Sequence, residues 1–319
     1  MGRGFFVLSN LFVAIGAVVP MFCLILIGVF VKRTKMLTDE ELVHTNRMVF
    51  RVFFFCMMFY NIYTTDLSAT FRPGLMLFGG LGVIAVFLLA TLFVCKFEPS
   101  NKRRGAMIQA IFRSNFVLMG IPLVSNIFGE DQLALPTMMI AIVVPIYNVV
   151  AVFVLETFRG GRFYLPGILL GVLKNPMILG AIAAVVFLLV GVPVPAPVLK
   201  PIKQVAAATT PVALIILGAS FKGSSFHAHV KQLVACVAAR LILVPAVMIG
   251  LAIYLGFRGM ELITLTAIFA SPCAVASFAM AQQMGSDADL AGNCVVYTSA
   301  LSCLTLFGWV FALKSLGLF

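Results

Sequence analysis

Stretches near 10–31, 44–65, 73–95, 105–127, 134–156, 167–190, 198–221, 229–256, 260–284 and 290–314 are apolar for about 20 residues or more. At ~1.5 Å rise per residue that length spans the ~30 Å hydrocarbon core of a bilayer. Lipid offers backbone amides and carbonyls no partner, so a chain of such runs is driven into helices that satisfy their own hydrogen bonds. The chain is 62% hydrophobic and only 10% charged, where a soluble domain carries about 25% charge. The excess cannot hide in one soluble core, and the expected fold is an all-α membrane protein of ten transmembrane helices. The first run, 5–31, is too long for a removable signal and is read as the first span. The loops are short, so residues 1–319 form a single membrane unit.

Lys and Arg number 22 against 11 acids. The surplus sits in short loops such as "KRTKMLTDEE", "KFEPSNKRRG" and "ETFRGGRF", and no basic stripe is interleaved with exposed aromatics. Nucleic acid is therefore not an expected partner. The loops that begin near residues 32, 96 and 159 are richer in bases than the alternate set. By the positive-inside rule they are cytoplasmic, which places both termini outside a cell membrane.

The seven cysteines, Cys23, Cys56, Cys95, Cys236, Cys273, Cys294 and Cys303, form no Cys-x-x-Cys pair and lie mostly inside apolar runs. They read as small buried hydrophobes. No His, Cys and acid cluster has metal spacing, and no HExxH, GxSxG or P-loop pattern occurs. No metal, cofactor or catalytic residue is expected. A lipid-modifying membrane enzyme is the weaker alternative, since it needs a paired nucleophile and base at depth. A non-transporting receptor or sensor remains a second alternative. No ring-forming filter segment suggests a channel.

"AIFRSNFVLMGIPLVSNIFGEDQLA" (110–134) has a partner in "AIFASPCAVASFAMAQQMGSDADLA" (267–291), at an offset of 157. Pro20-Met21 and Pro176-Met177 repeat at an offset of 156. Two halves of five spans follow, the second inverted because five is odd: a 5+5 inverted repeat, as in many secondary transporters.

The repeat-related points are "RSN" (113–115) and "ASPC" (270–273). Pro272 has no amide donor and is expected to break its helix, with Ser271 as N-cap of the next one. Ser114 and Asn115 offer cap chemistry in the first half, and Gly120 and Pro122 loosen the chain just beyond. Two broken helices meeting at mid-membrane offer bare amides and positive dipole ends to an anion. Arg113 lies near the middle of its span, where burial costs at least ~2.5–3.5 kcal/mol, and every acid of the chain falls in a loop or at a span end. A carboxylate substrate is the natural counter-ion for its guanidinium. Arg51 and Arg240 are read as snorkelling to the interface. Asn61, Tyr60, Gln282, Gln283 and Asn293 are polar residues in apolar settings; interhelical glue is their commoner use, and Asn61 is kept as a site candidate. His44, His227 and His229 read as interfacial. Without an intramembrane acid, export or exchange of an anion needs no coupling ion: leaving a negative-inside cell releases about 2.3 kcal/mol per charge per 100 mV.

Three segments, "RSNFVLMGIPLVSNIFG", "SPCAVASFAMAQQMG" and "HTNRMVFRVFFFCMMFYNIY", make the chain similar to the auxin efflux carrier family over essentially its whole length. The resemblance implies crossed, broken helices 4 and 9 at the substrate site, elevator-like movement, and a homodimer in membrane lipid. It implies a scaffold of 1–66 and 165–222 carrying the dimer contact, and a moving body of 73–160 and 229–319. The implied substrates are small organic anions: auxin in plants, and malate- or malonate-like dicarboxylates in bacterial relatives. The candidate substrate site gathers Arg113, Ser114, Asn115, Gly120, Pro122, Ser271, Pro272, Cys273 and Asn61. Plant members have proline where Ser114 stands and a long loop between spans 5 and 6. Both departures favour a compact bacterial-type carrier of small carboxylates.

Overall fold

The structure is a computed structural model, described for residues 19–64, 72–129, 132–159, 165–191, 193–221 and 229–319. Residues 1–18, the limits expected at 66, 160 and 222, Glu130 and His227 lie outside that set. Among the described residues the chain is helical throughout, and its only strand-like feature is one isolated antiparallel bridge, Ser114 to Cys273.

The elements are α1 (19–33), α2 (Asp39–Tyr63), α3 (Pro73–Phe97), α4 (Asn101–Phe112), α5 (Phe116–Phe128), α6 (Ala134–Arg159) and α7 (Leu165–Leu173). They continue with α8 (Pro176–Val190), α9 (Ala196–Ser220), α10 (Val230–Tyr254), α11 (Gly259–Ala270), α12 (Ala276–Gln283) and α13 (Ala288–Ser315). Six of these, α2, α3, α6, α9, α10 and α13, are long and apolar enough to cross a membrane. The pair α7 and α8 makes a seventh crossing when taken as one span, bent by 63°. The sequence suggested an unbroken span over 167–190. Instead Asn175 caps α8, its side chain accepting from Met177 N at 3.0 Å, with Pro176 at the first helical position. The apolar faces point outward: Leu189 is 81% exposed and Leu89 63%, as lipid contact requires.

Helix starts follow local chemistry. Thr38 opens α2 with a capping box, its hydroxyl accepting from Glu41 N while Glu41 accepts from Thr38 N. Pro73 and Asp287 begin α3 and α13. Close packing rests on glycine where helices touch backbone to backbone. A Cβ on Gly28 would sit 2.0 Å from Ile215 O, and one on Gly218 would sit 2.0 Å from Ile25 O. Only glycine lets α1 and α9 cross that closely.

Two of the three π-turns among the described residues have a proline behind them. Pro122 follows the turn Phe116–Gly120, and Pro245 follows Ala239–Leu243 within α10. Each proline withholds an amide from the carbonyl four residues back and crowds it, so the helix widens there. Pro245 thereby frees Leu241 O, which accepts from Trp309 Nε1 at 3.1 Å.

Candidate functional site

Both repeat-related segments are broken. Helix α4 stops at Phe112, and Arg113 and Ser114 run extended before the π-turn that opens α5. Helix α11 stops at Ala270, and α12 starts at Ala276. The two extended pieces cross antiparallel. Asn115 N donates to Pro272 O at 2.8 Å and Ala274 N to Arg113 O at 3.2 Å, flanking the Ser114–Cys273 pair. Backbone that has left a helix inside an apolar bundle must find partners, and here each break supplies them for the other. Cys273 N finds a third helix, donating to Thr298 Oγ1 of α13 at 3.1 Å.

Some expectations are corrected in detail. Ser271 is not the N-cap of α12; its hydroxyl donates back to Ala267 O at 2.5 Å and closes the end of α11. Asn115 stands at the N-cap position of the following turn but makes no side-chain cap, its Nδ2 lying 3.9 Å from Met21 Sδ. Arg240 does not snorkel. It is fully buried at 0% exposure and donates to four carbonyls: Nε to Ser271 O at 2.7 Å, Nη1 to Ile111 O at 3.1 Å and Phe112 O at 3.3 Å, and Nη2 to Ile268 O at 3.0 Å. These are orphan carbonyls of the last turns of α4 and α11 together with that of Ser271. Two helix C-termini carry roughly half a negative charge each, so one guanidinium balances both ends. Arg51, by contrast, is exposed.

Beside the crossing lies a cavity of about 110 Å³. Arg113, Ser114 and Asn115 line it from the first break, Ala274, Val275 and Ala276 from the second, and Asn61, Phe54 and Met57 from α2. Val144, Tyr147 and Asn148 of α6 and Thr210 and Ala213 of α9 add to its lining. Of the sequence candidates, Arg113, Ser114, Asn115 and Asn61 come together here. Ser271, Pro272 and Cys273 form the crossing behind it without lining it. Gly120 and Pro122 are also absent from the lining: Pro122 lies within α5 just past its π-turn, and a Cβ on Gly120 would lie 2.9 Å from Ala267 Cβ, so Gly120 lets α5 approach α11. Sequence reading missed Tyr147, Asn148 and Thr210. "PIYN" and "TTP" put polar groups beside prolines inside apolar runs, the local signal that could have marked them.

Arg113 is 4% exposed and makes no ion pair among the described residues. Its Nη2 donates to Asn148 Oδ1, and its Nη1 lies 2.7 Å from Met280 Sδ and 3.5 Å from Gln109 Oε1. A thioether is a weak acceptor, so this buried cation is poorly compensated. Ser114 Oγ is also buried, with the Tyr147 hydroxyl beside it and no strong hydrogen bond to the protein. Among the described residues no group of His, Cys, Asp and Glu is arranged to hold a metal ion.

The cavity thus brings a cation, hydroxyls and amides together at a helix crossing inside an apolar bundle. Over 238 residues the chain is 24% identical to an uncharacterized transporter of Methanocaldococcus jannaschii, covering 72% of this chain and 74% of that protein. Residues 13–310 match the membrane transport protein family. With nearly its full length matched and several apolar spans, the chain is a multi-pass membrane protein belonging to the membrane transport protein family, that of the auxin efflux carriers.

Proposed function

We propose that the protein is a secondary carrier for small organic anions, mono- or dicarboxylates of about the size of malonate or malate. The observation that carries this reading is Arg113: a buried guanidinium with no carboxylate partner among the described residues, lining a cavity at the crossing of two broken helices. A charge kept in such a place costs several kcal/mol unless a counter-ion is bound for part of the cycle. In this reading Arg113 holds the carboxylate, Ser114 and Asn115 add directional hydrogen bonds, and Asn61 reaches the solute from α2. The crossing at Ser271, Pro272 and Cys273 fixes the first break in place.

Two inverted five-span halves are the architecture we infer. The body made of 73–160 and 229–319 carries the site and slides as an elevator along a scaffold of 1–66 and 165–222, through which two copies pair. The direct contacts between α1 and α9, and between Gly180 of α8 and Phe55 of α2, support a scaffold that holds together by itself. Both termini are placed outside a cell membrane.

The test is flux. Arg113→Ala in proteoliposomes is expected to abolish uptake and exchange of labelled malonate or malate while the protein stays monodisperse. Full transport by that variant overturns the assignment.

A further inference from the structure

A second cavity, of about 210 Å³, lies on the outer face of the molecule between α3 and α10. Both helices pack on α4, and the furrow between them has Ile111 of α4 in its floor. Its walls are Val86, Leu89, Ala90 and Phe93 on one side and Ala235, Ala239, Leu243 and Val247 on the other, all apolar. Leu89, Phe93, Leu243 and Val247 are half exposed or more, so the furrow opens to the bilayer.

Its two walls end in charge. On α3 the lining positions 86, 89, 90 and 93 continue at helical spacing to Lys96; on α10, positions 239 and 235 continue back to Lys231. The two ends are fastened together, because Gln232 Nε2 donates to Glu98 Oε2 at 2.9 Å. Lys96 and Lys231 are therefore brought to one mouth. Both are exposed, and neither is in an ion pair among the described residues. The acid at that mouth, Glu98, is buried and already taken by Arg103 at 3.1 Å, Ser100 N and Gln232. From Lys96 to Val86 the wall descends about 15 Å at ~1.5 Å per residue, half the ~30 Å hydrocarbon core. The furrow thus has the depth of one leaflet, with cations at headgroup level and an apolar wall below.

We propose that this furrow is a binding site for one anionic phospholipid, its phosphate on Lys96 and Lys231 and one acyl chain between α3 and α10. Basic side chains near an anionic headgroup and acyl methylenes buried against an apolar wall both favour retention of such a lipid. The chain reaches Ile111, whose carbonyl Arg240 holds at the crossing. The site is independent of the anion cavity and of what the carrier moves.

The test uses purified full-length protein in detergent, with thermal shift and native mass spectrometry. Phosphatidylglycerol and phosphatidylcholine of identical chains are compared, together with soluble glycerol 3-phosphate. Phosphatidylglycerol is expected to raise the midpoint and to be retained at least tenfold more tightly than phosphatidylcholine, with no shift from glycerol 3-phosphate. The double variant Lys96→Gln/Lys231→Gln is expected to erase the preference, and Ala235→Phe, which fills the furrow, to remove retention of phosphatidylglycerol. Equal retention of the two lipids, an unchanged preference in the double variant, or a full shift from glycerol 3-phosphate alone overturns the proposal.

Discussion

Arg240 and Arg113 are both buried beside the crossing of the broken helices, and they are treated in opposite ways. Arg240 meets four backbone carbonyls within 3.3 Å, and those carbonyls are the loose ends of α4 and α11. Arg113 meets one amide oxygen well, a thioether sulfur and a distant glutamine, and it faces a cavity. The amide and hydroxyl groups divide likewise. Cys273 N donates to Thr298, whereas Ser114 Oγ has only a weak contact with the Tyr147 hydroxyl. Arg240 completes the backbone ends of both breaks, while the side chains of the first, Arg113 and Ser114, face the cavity with weaker partners. The comparison teaches that burial alone does not mark an arginine as a ligand site; what its donors meet distinguishes Arg240 from Arg113.

The largest effect on stability is expected from Arg240→Met. It leaves the carbonyls of Ile111, Phe112 and Ser271 without their donor and Ile268 O with only the Tyr147 hydroxyl at 3.5 Å, and each buried acceptor so stranded costs about 1–3 kcal/mol. Purified protein should show a sharply lower thermal midpoint and poor monodispersity, and Arg240→Lys should recover part of the loss. A midpoint like that of the unmodified protein would show that the carbonyls find other donors, and the contrast with Arg113 would fail. Thr298→Val ranks next. It strands the amide of Cys273 in a dry interior, at about 1–3 kcal/mol, again read as a lowered midpoint.

How far the sequence could reach follows the same division. Pro272 and the Arg113-Ser114-Asn115 run were enough to place both breaks, because proline chemistry and capping act within a few residues. That the two breaks meet was expected from their matching positions at an offset of 157. Arg240 was misread because nothing nearby in the chain shows that carbonyls from residues 111, 112, 268 and 271 converge on it; that depends on the packing of three helices. Tyr147, Asn148 and Thr210 escaped for a similar reason. A polar side chain in an apolar run looks the same whether it faces a cavity or a neighbouring helix. The bend at Asn175 was within reach, since an asparagine followed by proline is a local start signal, yet the apolar run hid it. The π-turns at Phe116–Gly120 and Ala239–Leu243 were open to the same reasoning through Pro122 and Pro245.

Arg113→Met inverts the pattern of Arg240. The variant loses a hydrogen bond to Asn148 and sheds an uncompensated buried cation, so its stability is expected within about 1 kcal/mol of the unmodified protein. What disappears is the response to anion. A carboxylate at a hundred times its dissociation constant stabilises a binding protein by about 2.7 kcal/mol, and Arg113→Met should show no such shift with malonate or malate. A thermal midpoint that still rises with the anion would move the counter-ion role elsewhere in the cavity.

Ser114→Ala is expected to be the mildest change, and it probes the cavity side of the first break most directly. The hydroxyl makes no strong hydrogen bond to the protein, and its neighbour, the Tyr147 hydroxyl, donates to Ile268 O, so stability should stay within about 0.5 kcal/mol, as for changes that break no network. The backbone bridge to Cys273 does not use the side chain: it is made by Asn115 N and Ala274 N, and alanine keeps the extended conformation. If the hydroxyl donates to a bound carboxylate, anion affinity should fall by about tenfold, the ~1.5 kcal/mol of a hydrogen bond to a charged group, with Arg113 still supplying the charge. Titration of the thermal midpoint against malonate reads both quantities in one series, the intercept giving stability and the concentration dependence giving affinity. A variant with unchanged affinity would put Ser114 among the residues that merely border the cavity. One that loses stability would show that the hydroxyl has a structural partner and that the side chains of the first break are held by the protein as Arg240 is.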